Sequence, residues 1–519
     1  MLYLLPHTIL NAANHLPDQV AFRCLNESRT YAEIAKQMNQ LSNLLIELGV
    51  QRGDRIGIFL NRSIEIAVAI YGTMNAGAAY VPIDPNLSIE RVQFLIQDCG
   101  VKHLITNKAQ SRKLQKVVAQ STTLTHIIGL KKDWEIPTID WEEVSQLPSN
   151  SPNVNVLADD LAYVMYTSGS TGIPKGIMHT HYSGLSYAQL SANLYKLQSK
   201  DIFGNHAPLF FDISTFGYFS VPLKAATTII ATDAHVKMPA SLSKLIDDEQ
   251  ISIWYSVPLA LIQMLQRGAL KERNWEQLRW ILYGGEPFPA KHLRALMELL
   301  PHTRISNVYG PAEVNQCTYY HLPDLPKEEE SIPLGQVWGN TEMLIFDEKD
   351  QLVKQGEKGE LLIRSATRMK AYWNNPALTE RSFYRRKTAQ GIDDIFYRTG
   401  DLVNMDEQGR LQFFGRKDRQ IKSRGYRVEL DDVENALLEH QMVNEVAIFS
   451  KKDKDDVNVI CAVVTLKEKQ NLEEKQLLDY CKNKLNWYAV PQRLSIMEDL
   501  PRTPTGKINR KELKLSYKL

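Results

Sequence analysis

The segment from Tyr166 to Gly176, which reads YTSGSTGIPKG, contains the residue types best suited to holding phosphate groups. Small residues leave backbone N–H groups accessible, hydroxyls add hydrogen-bond donors, and Lys175 brings a mobile positive charge. The segment lacks the Gly-Lys-Ser/Thr ending of the common nucleotide-binding loop. A flexible linker is the alternative, but linkers rarely follow an apolar run such as Leu161 to Met165 and end in Pro-Lys-Gly. We therefore predict a polyphosphate-binding loop.

Three further segments carry groups that suit a nucleotide. Asn307 to Glu313 (NVYGPAE) offers an aromatic face and an amide for a base, and a hard oxygen ligand for Mg²⁺. Tyr397 to Asp401 (YRTGD) ends in a carboxylate suited to a ribose diol, and Pro501 to Arg510 (PRTPTGKINR) presents Lys507 on a loop. Each segment alone has a structural interpretation, as a packed tyrosine, a capped turn or a basic tail. Their joint occurrence predicts a nucleotide site.

The elements that must position these segments follow an α/β pattern. Up to about residue 415, β-branched runs alternate with helical patterns, which predicts mainly parallel sheets covered by helices. The charged, glycine-bounded stretch from Gly415 to Gly425 predicts a boundary, so we expect domains at residues 1–415 and 416–519. The predicted elements of the second, α+β domain are a helix at Leu430 to His440, strands at Asn444 to Ser450 and Val457 to Leu466, a helix at Glu473 to Leu485 and a strand at Arg493 to Met497.

Composition argues against several classes of partner and compartment. The chain has 519 residues with 61 basic and 60 acidic side chains, which gives no overall charge for binding nucleic acid or an anionic membrane. Its most apolar long window, Ile64 to Ile83, contains Glu65 and Pro82 and predicts a buried helix and a turn, not a membrane span. Five scattered cysteines and an N-terminus without a basic region predict the reducing cytosol and a cytoplasmic protein.

Taken together, these segments resemble the adenylate-forming superfamily, and within it the amino-acid adenylation domains of nonribosomal peptide synthesis. The likeness covers nearly the whole chain and includes Arg29 to Ile34 (RTYAEI), Met74 to Pro85 (MNAGAAYVPIDP), Gly284 to Pro287 (GGEP), Gly359 to Ser365 (GELLIRS), Gly415 to Leu430 and Tyr488 to Pro491 (YAVP). The resemblance implies a large N-terminal domain with a smaller β subdomain, and a small mobile C-terminal lid. It also implies ATP and Mg²⁺: a carboxylate attacks the α-phosphate, pyrophosphate leaves, and a thiol captures the acyl adenylate.

The resemblance carries roles onto individual residues of this chain. The implied nucleotide-binding residues are Thr167, Ser168, Gly169, Ser170, Thr171, Lys175, Gly284, Gly285, Glu286, Asn307, Tyr309, Gly310, Asp401 and Arg416. Glu313 would bind magnesium, and Lys507 would be the catalytic cation of adenylation. Rotation of the lid about Asp418 would bring Lys422 to the site in place of Lys507, with Gly425 giving backbone clearance for a thiol tunnel. Alternatively, Asp418 only caps a turn.

One position departs from the family pattern. Members usually carry Thr where this chain has Ala312, so a hydroxyl that contacts phosphate is missing. Loss of a single hydrogen bond, worth ~0.5–1.5 kcal/mol, does not imply inactivity.

The segment Phe211 to Ser214 (FDIS) addresses the substrate, since Asp212 matches the position where amino-acid adenylation domains hold a carboxylate for the α-ammonium group. The remaining pocket positions matched by motif are Ile213, Phe216, Leu259, Ile281, Tyr283, Val308, Gln316 and Cys317. This lining is uncharged, apolar and mostly bulky, so it predicts a small neutral amino acid such as proline, valine or alanine. The format also resembles enzymes that load L-proline onto a separate carrier protein, which makes proline the first choice.

The acceptor is expected to be a phosphopantetheinylated carrier protein acting in trans, because no carrier segment with its modifiable serine follows Arg510. Three alternatives stay open. A D-alanine–carrier protein ligase has a similar format, although Tyr283 looks large for an alanine pocket. An acyl-coenzyme A ligase is disfavoured by Asp212. A catalytically silent nucleotide-binding scaffold is consistent with Ala312 but not with the retained Lys507, Glu313 and Asp401.

Overall fold

A computed structural model of the chain describes residues 2–167, 174–327, 330–467, 472–503 and 508–517. Its strands, in chain order, are β1 (Val20–Cys24), β2 (Glu27–Thr30), β3 (Arg55–Ile58), β4 (Ala79–Pro82), β5 (His103–Ile105), β6 (His126–Ile128), β7 (Thr138–Ile139), β8 (Leu161–Thr167), β9 (Lys175–Thr180), β10 (Ile202–Asn205), β11 (Thr227–Ile230), β12 (Ile253–Ser256), β13 (Trp280–Gly284), β14 (Arg304–Tyr309), β15 (Thr318–His321), β16 (Gln336–Val337), β17 (Thr341–Phe346), β18 (Gly359–Ser365), β19 (Ala371–Tyr372), β20 (Phe383–Lys387), β21 (Asp393–Met405), β22 (Leu411–Arg416), β23 (Gln420–Ser423), β24 (Tyr426–Glu429), β25 (Val443–Lys452), β26 (Asn458–Leu466) and β27 (Arg493–Ile496).

The α-helices between these strands are mostly amphipathic. They are α1 (Pro6–His15), α2 (Tyr31–Glu47), α3 (Glu65–Asn75), α4 (Ile89–Cys99), α5 (Ser111–Val118), α6 (Trp141–Ser145), α7 (His181–Leu194), α8 (Val221–Leu223), α9 (Asp233–Lys237), α10 (Pro239–Asp248), α11 (Pro258–Arg267), α12 (Ala290–Leu299), α13 (Pro376–Arg381), α14 (Leu430–Leu438), α15 (Glu474–Lys484) and α16 (Arg510–Ser516). Helix α2 shows why one begins where it does: Thr30 accepts a hydrogen bond from the Glu33 N–H and Glu33 accepts one from the Thr30 N–H, which satisfies two otherwise unpaired donors.

Two large sheets form the N-terminal part of the chain. The first has the order β16-β15-β14-β13-β12-β10-β11-β1-β2, and its central strands from β14 to β1 are parallel. The second has the order β19-β9-β8-β4-β3-β5-β6-β7, parallel from β8 to β7. Central strands such as β12 are buried on both faces, as expected for parallel strands covered by helices.

A third, antiparallel sheet of β17, β18, β20, β21 and β22 adjoins the two large ones. Strand β22 ends at Arg416 and the hairpin β23–β24 begins at Gln420, so Asp418 lies in the connection. The remaining sheet, β25-β26-β27, packs with α14 and α15 around its own apolar cluster. The predicted α/β fold with a small C-terminal domain is confirmed.

The predicted elements of the C-terminal part all occur within two residues of their expected bounds, as with α14 and β25. The apolar window at Ile64 to Ile83 forms α3 and β4, whose side chains are buried within the N-terminal core. Over the part of the chain that the structure covers, no helix is long and apolar enough to cross a membrane.

Candidate active site

The predicted phosphate loop connects two antiparallel strands of the second sheet. Strand β8 ends at Thr167, which pairs directly with Lys175 at the start of β9. The hairpin geometry therefore brings Lys175 to the carboxyl end of β8, the edge where ligands bind in open α/β sheets. Ser168, Gly169, Ser170 and Thr171, and also Lys507, lie outside the described residues.

Glu313 is fully buried and has donors from three parts of the chain. The Arg427 Nη1 atom lies 2.9 Å from both carboxylate oxygens, and the Tyr372 hydroxyl donates to Oε1 at 2.7 Å. The Lys175 Nζ atom lies 3.8 Å from the same Oε1. Burial acts to raise the pKa of Glu313, but the Arg427 and Lys175 charges outweigh it and the pKa is lowered overall. The carboxylate is therefore ionised, as a magnesium ligand must be.

Lys175 is placed to respond to a phosphate. Burial, reinforced by the nearby Arg427 charge, lowers the pKa of its ammonium group to about 8, against the opposing effect of Glu313. The Nζ atom also lies 5.5 Å from the centre of the Tyr372 ring, a cation–π contact. A phosphate bound beside Lys175 would raise this pKa again, since an adjacent negative charge favours the ammonium form.

One connected hydrogen-bond network joins Tyr309, Asp401, Arg416 and Asp418. The Tyr309 hydroxyl donates to one oxygen of Asp401, and the Arg416 Nη1 atom donates to the other at 2.7 Å. Arg416 also donates to both oxygens of Asp418, at 2.8 and 2.9 Å. Burial raises the pKa of Asp401, and the Arg416 charge partly offsets this. The network joins the predicted base and ribose residues to the predicted hinge.

The other predicted nucleotide residues lie at the carboxyl ends of β13 and β14. Asn307 donates to the Pro333 carbonyl oxygen at 2.8 Å, so one amide hydrogen of its side chain is already engaged. A Cβ atom at Gly284 would lie 2.5 Å from the Val308 carbonyl oxygen, and one at Gly310 would lie 1.9 Å from that of Asn315. At these two positions the close backbone approach requires glycine.

Gly285 and Glu286 contact the C-terminal domain. A Cβ atom at Gly285 would lie 3.4 Å from the Gly425 carbonyl oxygen, and Glu286 accepts a hydrogen bond from the Gly425 N–H. The lid hairpin β23–β24 therefore faces the site in this structure. Glu286 interacts with the lid here, an interaction that the sequence did not predict.

Asp212 lies in the same region as Lys422. Its Oδ1 atom accepts a hydrogen bond from the Ile213 N–H at 2.9 Å. Burial raises the pKa of Asp212, and the Lys422 charge acts most strongly against this rise. Burial lowers the pKa of Lys422, with Asp212 the main opposing influence. Next to them, the rings of Phe211 and Tyr426 stack across the domain boundary at 5.4 Å.

The predicted side-chain pocket requires a correction on β13. Phe216, Ile213 and Val308 share one apolar cluster with Trp280 and Leu282, whereas Ile281 and Tyr283 belong to a second cluster on the opposite face of the sheet. Successive strand residues point to opposite faces, so a shift of one position moves a side chain from one face to the other. Leu282 and Gly284 occupy the Phe216 face in place of Ile281 and Tyr283.

The last pocket positions also divide. Gln316 is buried with its Nε2 atom 3.5 Å from the hydroxyl of Tyr195, a ring of the Phe216 cluster. Cys317 packs in a separate cluster with Ile177 and Leu361, and its role as a pocket residue stays a prediction. Leu259 packs against the Tyr283 cluster and lines a large cleft.

This cleft runs between the N-terminal part and the lid, with a volume of about 770 Å³. Ile213, Val257 and Leu259 line it from the N-terminal side, and Arg424 and Tyr426 from the lid. The cleft therefore leads from the surface to the neighbourhood of Asp212, which adjoins Ile213 in sequence.

The sequence did not reveal several residues that shape the site. Arg427 and Tyr372 hold Glu313. Tyr372 lies outside the motifs named above, and Arg427 lies within the Gly415 to Leu430 likeness, which gave it no contact with Glu313. The ring of His179 stacks on Tyr163 at 4.8 Å, and its Nε2 atom lies 2.9 Å from the Ala312 carbonyl oxygen. His179 thereby fixes the segment that leads into Glu313. His179 and Lys175 lie an even number of positions apart on β9, so their side chains point to the same face of the sheet. This spacing is the one sequence signal that indicated a place for His179 beside the site.

The two faces of β13 permit a matched test of the pocket. Leu282→Ala enlarges the space beside Phe216, so we expect amino-acid preference to shift towards larger side chains by roughly 10–200-fold for one or two added methylenes. Ile281→Ala removes an equally buried side chain from the opposite face. Both changes should lower the free energy of unfolding by ~2–5 kcal/mol, but only the first should change selectivity in pyrophosphate exchange. Equal shifts in both variants would contradict the corrected pocket.

Comparisons with known proteins agree with this geometry. The model of the AMP-binding enzyme family matches residues 9–373, and that of the AMP-binding enzyme C-terminal domain matches residues 432–507. An L-proline--[L-prolyl-carrier protein] ligase from Pseudomonas fluorescens is 28% identical, with 98% of each chain covered. Tyrocidine synthase 1 from Brevibacillus parabrevis is 31% identical over 96% of this chain and 44% of its own length.

Two solved structures share the fold over almost the whole chain. The amide bond synthetase McbA from Marinactinospora thermotolerans superposes with a TM-score of 0.88 at 21% identity, covering 99% of both chains. Holo-PA1221, a protein containing adenylation and PCP domains, superposes with a TM-score of 0.82 at 25% identity, covering 98% of this chain and 84% of the other. By its family-model matches, the chain belongs to the AMP-binding enzyme family.

Proposed function

We propose that the chain activates a small neutral amino acid, with L-proline the first choice, as its aminoacyl adenylate, and transfers it to the phosphopantetheine thiol of a separate carrier protein. The observation that carries this proposal is that one hairpin, β23–β24, meets both predicted sites: Tyr426 stacks on Phe211, the neighbour of Asp212, at 5.4 Å, and Arg427 contacts Glu313 at 2.9 Å. A carboxylate for an ammonium group thus adjoins the predicted triphosphate site. The L-prolyl-carrier protein ligase named above supports the choice of proline.

In this proposal the reaction needs no covalent enzyme intermediate. The amino-acid carboxylate attacks the α-phosphorus of ATP, an oxygen–phosphorus bond forms, and pyrophosphate leaves with the electron pair of the broken bond. Lys507 stabilises the charge that accumulates, and Lys175 with the loop at residues 167–171 holds the leaving phosphates. The Tyr309 ring and Asn307 hold the base, while Asp401 and Arg416 hold the ribose. The thiol sulfur then attacks the acyl carbon and forms a carbon–sulfur bond, the acyl carbon–oxygen bond breaks with its electron pair leaving on AMP, and the thiol proton passes to solvent.

Glu313 fits a magnesium ion by its chemistry. It is an ionised, buried oxygen donor beside Lys175, and magnesium is usually held by one or two carboxylates together with substrate phosphates. Among the described residues no group of three His, Cys, Asp or Glu could hold a metal ion. Bound there, Mg²⁺ would supply charge neutralisation of the phosphates.

The five free, buried cysteines support a reducing, cytoplasmic setting.

Amino-acid-dependent exchange of pyrophosphate into ATP tests the proposal. We expect exchange with one small neutral L-amino acid, L-proline first, and weaker exchange with D-alanine and D-proline. A preference for D-alanine would favour the D-alanine ligase, and a preference for a charged or large aromatic acid would contradict the pocket. Turnover of a simple carboxylic acid with free coenzyme A would favour an acyl-coenzyme A ligase, and ATP binding without pyrophosphate release would favour a silent scaffold.

Asp212→Asn should weaken amino-acid binding without changing ATP binding. Removing a charged hydrogen-bond partner loses about 2–3 kcal/mol, so we expect KM for the amino acid to rise roughly 30- to 150-fold. The control is a substrate analogue without the ammonium group, cyclopentanecarboxylate for proline. The variant should lose most of its preference for proline over this analogue, and an unchanged preference would remove Asp212 from the ammonium site.

A further inference from the structure

The buried carboxylate of Glu313 has a partner from the lid that the reaction scheme leaves unexplained. Arg427 belongs to β24 of the lid, whereas Lys175 and Tyr372 come from strands of the N-terminal part. Arg427 places one nitrogen at 2.9 Å from both Glu313 oxygens, which is closer than Lys175 at 3.8 Å. The main charge partner of Glu313 in this structure therefore comes from the mobile domain.

This contact occupies the oxygens on which the proposed function places magnesium. Magnesium binds oxygen at about 2.1 Å in near-octahedral geometry and keeps several waters. A guanidinium that bridges both oxygens leaves no room for such a shell on the same side, and two cations so close would repel each other. The two partners of Glu313 are thus alternatives.

The geometry points to Arg427 as a positioning residue that anchors the lid in the thiol-transfer pose, and to Glu313 as a shared anchor held either by magnesium or by Arg427. This inference rests on the proposed function, because it takes Glu313 as the magnesium ligand. Magnesium bound at Glu313 then disfavours the lid pose of the structure. Glu313 would hold magnesium while the nucleotide phosphates are bound, and Arg427 would contact Glu313 when the ion is absent.

Other lid contacts agree with this arrangement. Besides Arg427 on Glu313, the Gly425 N–H donates to Glu286, and Lys422 interacts with Asp212. The hairpin β23–β24 therefore meets three carboxylates of the site. Glu313 is the only one of the three that is fully buried, so its need for a partner is the strongest.

Lid position can be measured directly in the full-length protein. All five natural cysteines are buried, so spin labels can be attached to Lys200→Cys and Lys475→Cys, two exposed positions on the N-terminal part and the lid. Pulsed electron resonance then gives the distance distribution with α,β-methylene-ATP in EDTA and in magnesium chloride. In the labelled parent protein, we expect magnesium to lower the population at the distance of this structure by roughly threefold or more.

Arg427→Met should lower that population by a similar factor already in EDTA and should abolish the response to magnesium. Arg427→Lys should keep part of that population and part of its response to magnesium. Glu313→Gln should also abolish the response to magnesium. Arg493→Met, at an exposed lid arginine, is the matched control and should behave like the parent. Each variant is first checked for cooperative thermal unfolding, and Arg427→Lys serves if Arg427→Met does not fold.

Two results would overturn the inference: a parent distance distribution that does not respond to magnesium, or a folded Arg427 variant with parent-like populations. Failure of the proposed function is distinguishable, because it shows as absence of exchange with every amino acid in the parent protein. Parent exchange without a magnesium-dependent lid distance would refute the anchor and leave the proposed function standing. In kinetics, Arg427→Met should spare exchange and slow single-turnover loading of the carrier protein by about 10-fold or more.

Discussion

Lys507→Ala is expected to lower amino-acid-dependent pyrophosphate exchange by ~10²–10³, because an anionic carboxylate attacks an already anionic phosphate and the ammonium group stabilises the charge that accumulates. The residues that follow Lys507 are held on the lid: Ile508 packs against the Phe449 cluster, and the Arg510 Nη2 atom donates to Glu434 at 2.6 Å. In this structure the hairpin with Lys422 faces the site. Lys507 would therefore act in a different lid pose.

This difference of pose gives the prediction a second readout. Supplied with synthetic aminoacyl adenylate, the Lys507→Ala protein should load the carrier protein at nearly the rate of the parent, because in the proposed reaction thiol transfer uses the Lys422 face. Lys511→Ala, at an exposed position of α16, is the control and should keep normal exchange. Normal exchange in Lys507→Ala would exclude Lys507 as the catalytic cation, and equal loss of both steps would exclude a role confined to adenylation.

Much of the fold could be predicted because each strand or helix has a local pattern of apolar residues, and such patterns recur along the chain. The apolar run at β8 followed by the glycine-rich segment predicted a strand and a loop, and the strand ends at Thr167, the second residue of that segment. The α/β alternation predicted parallel sheets because buried parallel strands read as apolar runs. The helices and strands of the lid were predicted in the same way, from local patterns of apolar residues.

The side-chain pocket shows what motif matching cannot give. Along β13, the GGEP motif locates the end of the strand, but it does not say which residues face the substrate. An error of one position assigns Ile281 and Tyr283 to the pocket in place of Leu282 and Gly284. The predicted pocket then has a tyrosine where the structure has a glycine. Only the packing on both faces of β13 shows which of its residues face the Phe216 cluster.

Contacts across the domain boundary could not be predicted either. Glu313 and Arg427 are separated by 114 positions, and their pairing depends on the pose of the lid. A sequence pattern specifies each domain through local periodicity, whereas two rigid parts can meet in more than one way. Arg427 lies within the Gly415 to Leu430 likeness, but that pattern could not pair it with Glu313, because the contact depends on a carboxylate in the other domain.

Gly425→Ala is expected to impair thioester formation while sparing adenylation. Gly425 has a φ of +82°, and a Cβ atom there would lie 2.4 Å from the Val257 Cγ1 atom and 3.0 Å from its Cβ atom. The strain of a left-handed, non-glycine residue does not depend on the pose of the lid, whereas the clash, which overpacking places at ~1–3 kcal/mol, arises only where the hairpin meets Val257. We therefore expect single-turnover loading of the carrier protein to slow roughly 5- to 150-fold or more, with exchange changed by less than about threefold.

Two controls separate the sources of this effect. Gly409 also has a positive φ, +74°, but a Cβ atom there would meet nothing within 4 Å, so Gly409→Ala should slow neither step. Adding Val257→Ala to Gly425→Ala removes the clash and leaves the backbone strain, so the double variant should recover part of the loading rate. Equal loss of exchange and loading in Gly425→Ala, with no recovery in the double variant, would show that the close contact between Gly425 and Val257 does not belong to the thiol-transfer pose.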